Sequence, residues 1–270
     1  MFIPFTVITM DKILLSTFLI SLLVAISGNL AVFRKASFLI TSVAHSALAG
    51  VALSLLLSSF GIQQDYFLLA TIFAIAFAIL ASLTSKFSDI DTGIAISFAL
   101  SMSLAVIFLS QIRGMSAKIW SFLFGDLFLI TEQDLLYLTF SSISIVLIFG
   151  LLYEKLLLFL FDPEGARVSG INPKLFDAII VTIIAISVVA VIRSVGAILA
   201  YSIFIAPSAI AKEFARSVKQ SLIITFVIAM ISLMTGIFTS LILPISASAL
   251  SAFIASTLYL VIFYIKIYKK

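Results

Sequence analysis

Nine times between Ile13 and Ile265 the sequence runs for about twenty residues with almost no charge, and about twenty helical residues at 1.5 Å each cross a hydrocarbon core of about 30 Å. A segment immersed in hydrocarbon must satisfy its own backbone N–H and C=O groups, so each run reads as a helix. The runs are Ile13 to Phe33, Phe38 to Ser59, Tyr66 to Ser85, Ile90 to Ser110, Leu135 to Tyr153, Leu175 to Ile192, Val195 to Ala211, Ser221 to Leu243 and Ser246 to Ile265. The fold class is all-α, a polytopic membrane protein of about nine spans. Eight is the alternative count, because the two runs flanking Arg193 are short and one could be a broken or tilted helix. Composition agrees: 63% of the 270 residues are hydrophobic and only 10% are charged, more apolar side chain than a soluble core could enclose.

The charges belong to the connections. If the loop after the fifth run is cytoplasmic, that side collects all of the sixteen Lys and Arg except Lys12, Arg113, Lys118 and Arg193. The positive-inside tendency then puts the N-terminus outside and the C-terminus inside. No basic cluster with interleaved aromatics marks a nucleic-acid surface, and anionic lipid is the natural counterpart of the net charge of +4. Asp11 and Lys12 stand before the first run with no small-residue cleavage site after it, so that run is expected to stay as a span. With no cysteine, the chain can offer neither disulfides nor a thiolate metal site.

The second run holds the only histidine. Arg34 and Lys35 precede it, and His45 lies about 10 Å along a helix that starts at Phe38, well inside a membrane. Thr41 is one turn earlier on the same face. Small neighbours at Ser42, Ala44, Ser46, Ala47, Ala49, Gly50 and Ala52 favour close packing inside a bundle. An ionisable side chain at such a depth is a candidate for a transport path, and an imidazole is a suitable ligand for a borderline divalent cation.

Two connections are more than turns. Ile119 to Ile130 is apolar, carries the only Trp and is too short to cross, so it is expected in the outer interface. Thr131 with Asp134 three residues later makes a capping pair for the fifth span, and Asp89 and Asp91 are placed to cap the fourth. The second is Phe161 to Lys174. There Asp162 can cap a helix, Pro163 suits its first position, Glu164 complements its positive end, and Gly170 with Pro173 stops it. The product is a surface helix of about two turns, too short to stand alone in water and therefore braced by its own spans or by a partner protein.

Five stretches stand in an order and spacing that resemble the membrane subunits of zinc, manganese and iron ABC importers: RKASFLITSVAHSALAGVALS, DTGIAISFALSMSL, SFLFGDLFLITEQDLL, FDPEGARVSGI and RSVGAILAYSIFIAPSAIAKEFAR. The likeness covers nearly the whole chain and implies one transmembrane permease domain over residues 1–270. It implies a homodimer with a substrate path between or through the protomers, a separate cytoplasmic ATPase dimer, and an extracytoplasmic binding protein that delivers the metal. Phe161 to Ile171 is then similar to the coupling helix that docks into the ATPase, with Asp162, Pro163, Glu164, Arg167 and Gly170 as its working residues. The location implied is the plasma membrane, and the implied activity is transport rather than catalysis. No cofactor is expected to be held stably; the metal is cargo and ATP belongs to the partner. The chain itself has no G-x-x-x-x-G-K-[ST] phosphate loop.

One departure stands out. The family often places an acid four residues before the histidine of the second span, and here that position is Thr41, a neutral hydroxyl able to bond the ring or a bound water but adding no charge. His45 is then the one transient metal ligand, with Thr41 beside it. Asp126 is a candidate for the outer entrance. Pro207 removes a helical hydrogen bond in the seventh span, making it a kink or a hinge. The alternative function, an ion-coupled secondary carrier, would need carboxylates deep inside the spans, and the mid-span positions other than His45 are uncharged. An enzyme would need a cluster of acids or paired histidines, which one histidine does not supply.

Overall fold

The computed structural model describes residues 3–85, 89–112, 117–125 and 127–268. The helices are α1 (Ile3–Phe33), α2 (Phe38–Ser59), α3 (Tyr66–Thr84), α4 (Ile90–Ser110), α5 (Ala117–Phe124), α6 (Glu132–Phe161), α7 (Pro163–Val168), α8 (Pro173–Val195), α9 (Ala197–Phe214), α10 (Val218–Ile242) and α11 (Ala247–Tyr268), with a single 3₁₀ turn at Leu127–Leu129. Among the described residues nine helices are long and apolar enough to cross a membrane: all but α5 and α7.

Among the described residues the count is therefore nine rather than eight. α8 and α9 are separate helices joined through Gly196 at φ 93. The chain reverses there, since Ser27 on α1 bonds Ser187 of α8 while the next residue, Gly28, lies against Phe204 and Ser208 of α9. Gly196 is required twice over. Its backbone conformation is one that side chains rarely adopt, and a Cβ would sit 2.3 Å from the carbonyl carbon of Phe124. α5 is thus keyed into the α8–α9 bend by direct backbone contact.

α1, α2 and α8 form the centre of the bundle. α2 packs on α3, α4, α8 and α9, and α1 on α6, α8, α9 and α10. Small residues permit this, as expected for Gly50, where a Cβ would be 2.3 Å from the Leu69 carbonyl oxygen of α3. Without water inside, buried polar groups pair across helices. Asn29 of α1 donates to Thr225 at 2.8 Å and accepts from Ser221 at 2.6 Å, tying α1 to α10. The outer faces of α4 and α6 instead present residues such as Ile96, Leu100, Phe140 and Leu147.

The capping pair forms as a full capping box. The Thr131 hydroxyl accepts from the Asp134 N–H, and the Asp134 carboxylate accepts from the Thr131 N–H at 2.8 Å. α6 is longer than its apolar run, continuing past Glu154 and Lys155 to Phe161 because both charged side chains point outward from the bundle. At α4, Asp89 occupies the N-cap position, but its carboxylate accepts from the Thr92 hydroxyl at 2.7 Å. The short apolar connection does not cross. Ile119, Phe122 and Leu127 are buried against the bundle while Trp120 stacks on Phe124 at the surface.

Candidate functional site

The first two turns of α2 are buried except for one stripe, Phe38, Thr41 and His45, which is partly open. The His45 ring meets Phe98 of α4 edge-on, with centroids 5.1 Å apart, and the same Phe98 meets Phe38 at 5.7 Å. Nδ1 of His45 lies 2.8 Å from the backbone carbonyl oxygen of Thr41. A carbonyl only accepts, so Nδ1 carries a proton, and in the neutral ring Nε2 is the nitrogen with the lone pair. The ring thus donates to the Thr41 backbone carbonyl rather than bonding its hydroxyl. That bond orients the ring and leaves Nε2 of the neutral form able to act as a ligand, as a bonded second nitrogen does at metal sites generally. Among the described residues no group of three or more His, Cys, Asp or Glu is placed to hold a metal ion together. Among these residues the arrangement offers a cation a single imidazole nitrogen.

At one end of the bundle lies α7. Asp162 accepts from the Gly165 N–H at 2.9 Å, Pro163 opens the helix, and Arg167 stands in its last turn. Gly170, at φ 79, lets the Ile171 N–H reach back to the Ala166 carbonyl at 2.9 Å, closing the helix. Ala166 and Ile171 are buried against the spans, whereas Val168 is 91% exposed. Glu164 and Arg167 lie on the same open surface. The helix is braced from within and still shows an apolar residue flanked by two charges. Beside it, Phe159, Pro163, Arg167, Asn172, Pro173, Lys174 and Asp177 line a recess of about 660 Å³.

Sequence reasoning missed two nearly buried ion pairs, besides the exposed pairs Lys12–Glu132 and Lys266–Glu213. At the end of the bundle away from α7, Arg193 pairs with Asp134, the two side chains only 11% and 10% exposed. The guanidinium lies 3.4 Å from the ring centroid of Phe67, donates to the Tyr66 hydroxyl at 2.7 Å, and forms the floor of a recess of about 850 Å³. Tyr137 closes that box, stacking on Phe67 and donating to Asp65 at 2.6 Å. Burial alone would raise the Asp65 carboxyl, but the Tyr137 hydroxyl, the N–H groups of Phe67 and Leu68 and the Arg193 charge outweigh it and hold it below its ordinary value. At the α7 end, Arg34 pairs with Asp177 at 2.6 Å, and Ser82 donates to the other carboxylate oxygen. Arg193 had looked like a loop charge because it separates two apolar runs. The available signal was that an Arg between runs only two residues apart, Ile192 and Val195, has little room to reach water and calls for a partner. Asp126 lies outside the described residues. Pro207 is buried within a continuous α9, one residue from the Ser208 that Gly28 packs against.

Comparison with known proteins places this architecture. The manganese transport system membrane protein MntC of Halalkalibacterium halodurans is 24% identical over 257 residues, 94% of this chain and 86% of that one. The high-affinity zinc uptake system membrane protein ZnuB of Haemophilus influenzae is 32% identical over 230 residues, 84% of this chain and 86% of that one. Among solved structures, PsaBC from Streptococcus pneumoniae in complex with Fab superposes with a TM-score of 0.81 at 22% identity, over 94% of this chain and 90% of that one, a likeness of fold. The family model described as the ABC 3 transport family matches residues 7–266. With nine apolar helices and this match over nearly its whole length, the chain is a multi-pass cell membrane protein, a transport permease and not an enzyme, and it belongs to the ABC 3 transport family.

Proposed function

We propose that this chain is the permease of an ATP-driven importer of a divalent transition metal, manganese or zinc. It works as a homodimer with a separate cytoplasmic ATPase dimer and an extracytoplasmic protein that delivers the metal. Relatives named for manganese and zinc support the cargo class. The observation that carries the reading is His45, whose Nδ1 is bonded to the Thr41 carbonyl and whose Nε2 is left as a donor atom on the open stripe of a span. A neutral imidazole binds Mn²⁺ or Zn²⁺ as one ligand among waters or ligands from a second protomer, and a lone neutral ligand lets the ion go. Thr41 shapes the site through its carbonyl. The segment 161–171 serves as the coupling helix: the Asp162 cap, Pro163 and Gly170 hold it, and Glu164, Arg167 and Val168 face the ATPase. The α7 end is then cytoplasmic and the Arg193 end extracytoplasmic, in line with the charge distribution.

The test is metal uptake by proteoliposomes containing permease, ATPase and binding protein. His45→Ala is expected to fold, because the α2 contacts come from its small residues, and to lose uptake. Wild-type uptake by His45→Ala would overturn the assignment of the path. Reversal of Glu164 or Arg167 is expected to reduce transport-linked ATP hydrolysis while leaving the protein inserted, and unchanged hydrolysis in both would overturn docking through α7.

A further inference from the structure

The Arg34–Asp177 pair is poorly suited to adhesion. Its side chains are 12% and 15% exposed. Desolvation of two charges offsets most of their attraction, so apolar side chains of similar volume hold helices together at least as well. The chain has such residues in excess. The position of the pair is more informative than its strength.

Arg34 sits in the turn between α1 and α2. That turn is locked, with the Ala36 N–H donating to the Ala31 carbonyl at 2.9 Å and Lys35 held at φ 57. α2 begins four residues after Arg34, and His45 lies two turns further on. Asp177 stands in the second turn of α8, and α8 is joined to α7 through the closed connection at Gly170 and Ile171. From α7 through α8, across the ion pair and into α2, every link is short and hydrogen-bonded. Ser82 adds the end of α3 to the same carboxylate. α8 cannot tilt at its α7 end without either carrying the Arg34 turn with it or separating two nearly enclosed charges.

We propose that Arg34 and Asp177 are positioning residues for transport: they pass displacement of α7 to α2 and thereby set the orientation of His45 on the path. This rests on the reading of α7 as the ATPase-docking helix. The ion pair supplies what an apolar contact lacks, a link that resists being pulled apart in a given direction instead of sliding.

The experiment measures metal transported per ATP hydrolysed by the complete reconstituted importer, together with the melting temperature of each variant. Arg34→Gln and Asp177→Asn are expected to assemble with the ATPase and hydrolyse ATP, but to move about 2- to 30-fold less metal per ATP, the range that mutations along a coupling route produce. Arg34→Met/Asp177→Leu removes both charges while keeping volume. It is expected to melt at least as high as wild type and still to show the reduced ratio, whereas a purely structural pair would have its ratio restored along with its stability. Glu164→Lys run in parallel separates the two readings. If it uncouples while the folded Arg34 and Asp177 variants keep the wild-type ratio, the relay is overturned and docking stands. If all of them keep the wild-type ratio, both are overturned.

Discussion

The Arg193–Asp134 pair allows a worked test of how charge is held at the opposite end of the bundle. Asp134→Asn keeps an oxygen for the Thr131 cap, so the roughly 1 kcal/mol associated with an N-cap is largely retained, but it takes from Arg193, at 11% exposure, its bonded carboxylate and leaves Asp65, which is not bonded to it, as the nearby opposite charge. Removing one partner of a buried pair costs about 3–5 kcal/mol. The Phe67 face and the Tyr66 hydroxyl remain as compensation, about 2 kcal/mol for a desolvated cation over an aromatic ring. Arg193 Nη1 is already buried without a hydrogen-bond partner among the described residues, so no spare contact is at hand to absorb the loss. The expected net cost is about 1–3 kcal/mol. At about 2–4 °C per kcal/mol for a chain of this size, the melting temperature should fall by roughly 2–12 °C. Arg193→Met/Asp134→Asn removes the orphaned charge and keeps both the stem packing and the cap, and should recover most of that fall. The assay is thermal unfolding in detergent followed by Trp120 fluorescence. A single Asp134→Asn variant melting within about 2 °C of wild type would refute the argument, because it would mean that Arg193 reaches water as readily as a loop cation.

Other expectations follow from particular contacts. Gly196→Ala places a Cβ 2.3 Å from the Phe124 backbone at φ 93; it should lose at least about 2 kcal/mol and appear as a lowered melting temperature and yield. Since the chain has no cysteine, single cysteines at Gln63 and Ser169 report sidedness directly: an impermeant thiol reagent applied to intact cells should label the first and spare the second. Thr41→Asp adds a carboxylate one turn from His45 and should increase the metal that co-purifies with the permease, measured by elemental analysis after gel filtration. Asp65 has a folded pKa below its unfolded value of about 3.9, so its contribution to stability is complete above that value and is lost as pH falls through the folded one. The melting difference between wild type and Asp65→Asn should hold constant from pH 7 to about 5 and shrink below about 4.

The spans were legible because hydrocarbon imposes a simple rule, and α2, α3 and α4 begin at the residues where their apolar runs do. Caps were legible for the same local reason: Asp162 and the Thr131–Asp134 box need only neighbours in sequence. α6 outran its apolar segment because Glu154 and Lys155 ended the run in sequence while the helix needed only to turn them outward. The partners of Arg193 and Arg34 were illegible, since each lies on a helix far away in the chain and nothing local distinguishes a paired cation from a solvated one. The His45 tautomer was illegible too. A threonine four residues earlier suggested a hydroxyl contact, and only the geometry shows that the ring N–H donates to the backbone carbonyl.

The two nearly buried pairs share one helix, and that changes what each can do. α8 carries Asp177 near its N-terminus and Arg193 in its last turn, the placement in which each charge complements the helix macrodipole. Each is bonded to a different neighbour, Asp177 to the α1–α2 turn and Arg193 to the cap of α6. Sliding α8 along its axis would strain both pairs together, whereas tilting it about the Arg193 end would disturb only the contact with Arg34. The Arg193 end is further fixed by the aromatic box and by the backbone contact of Gly196 with α5. The α7 end has no comparable enclosure, since Lys174 and Asn172 are exposed and a recess opens beside Asp177. Under the proposed relay, an asymmetric clamp of this kind would make the Arg193 end the pivot and the Asp177 end the moving arm. Substitutions at the pivot should therefore register in melting temperature with little change in metal moved per ATP, whereas at the arm the volume-keeping Arg34→Met/Asp177→Leu should hold its melting temperature and still move less metal per ATP.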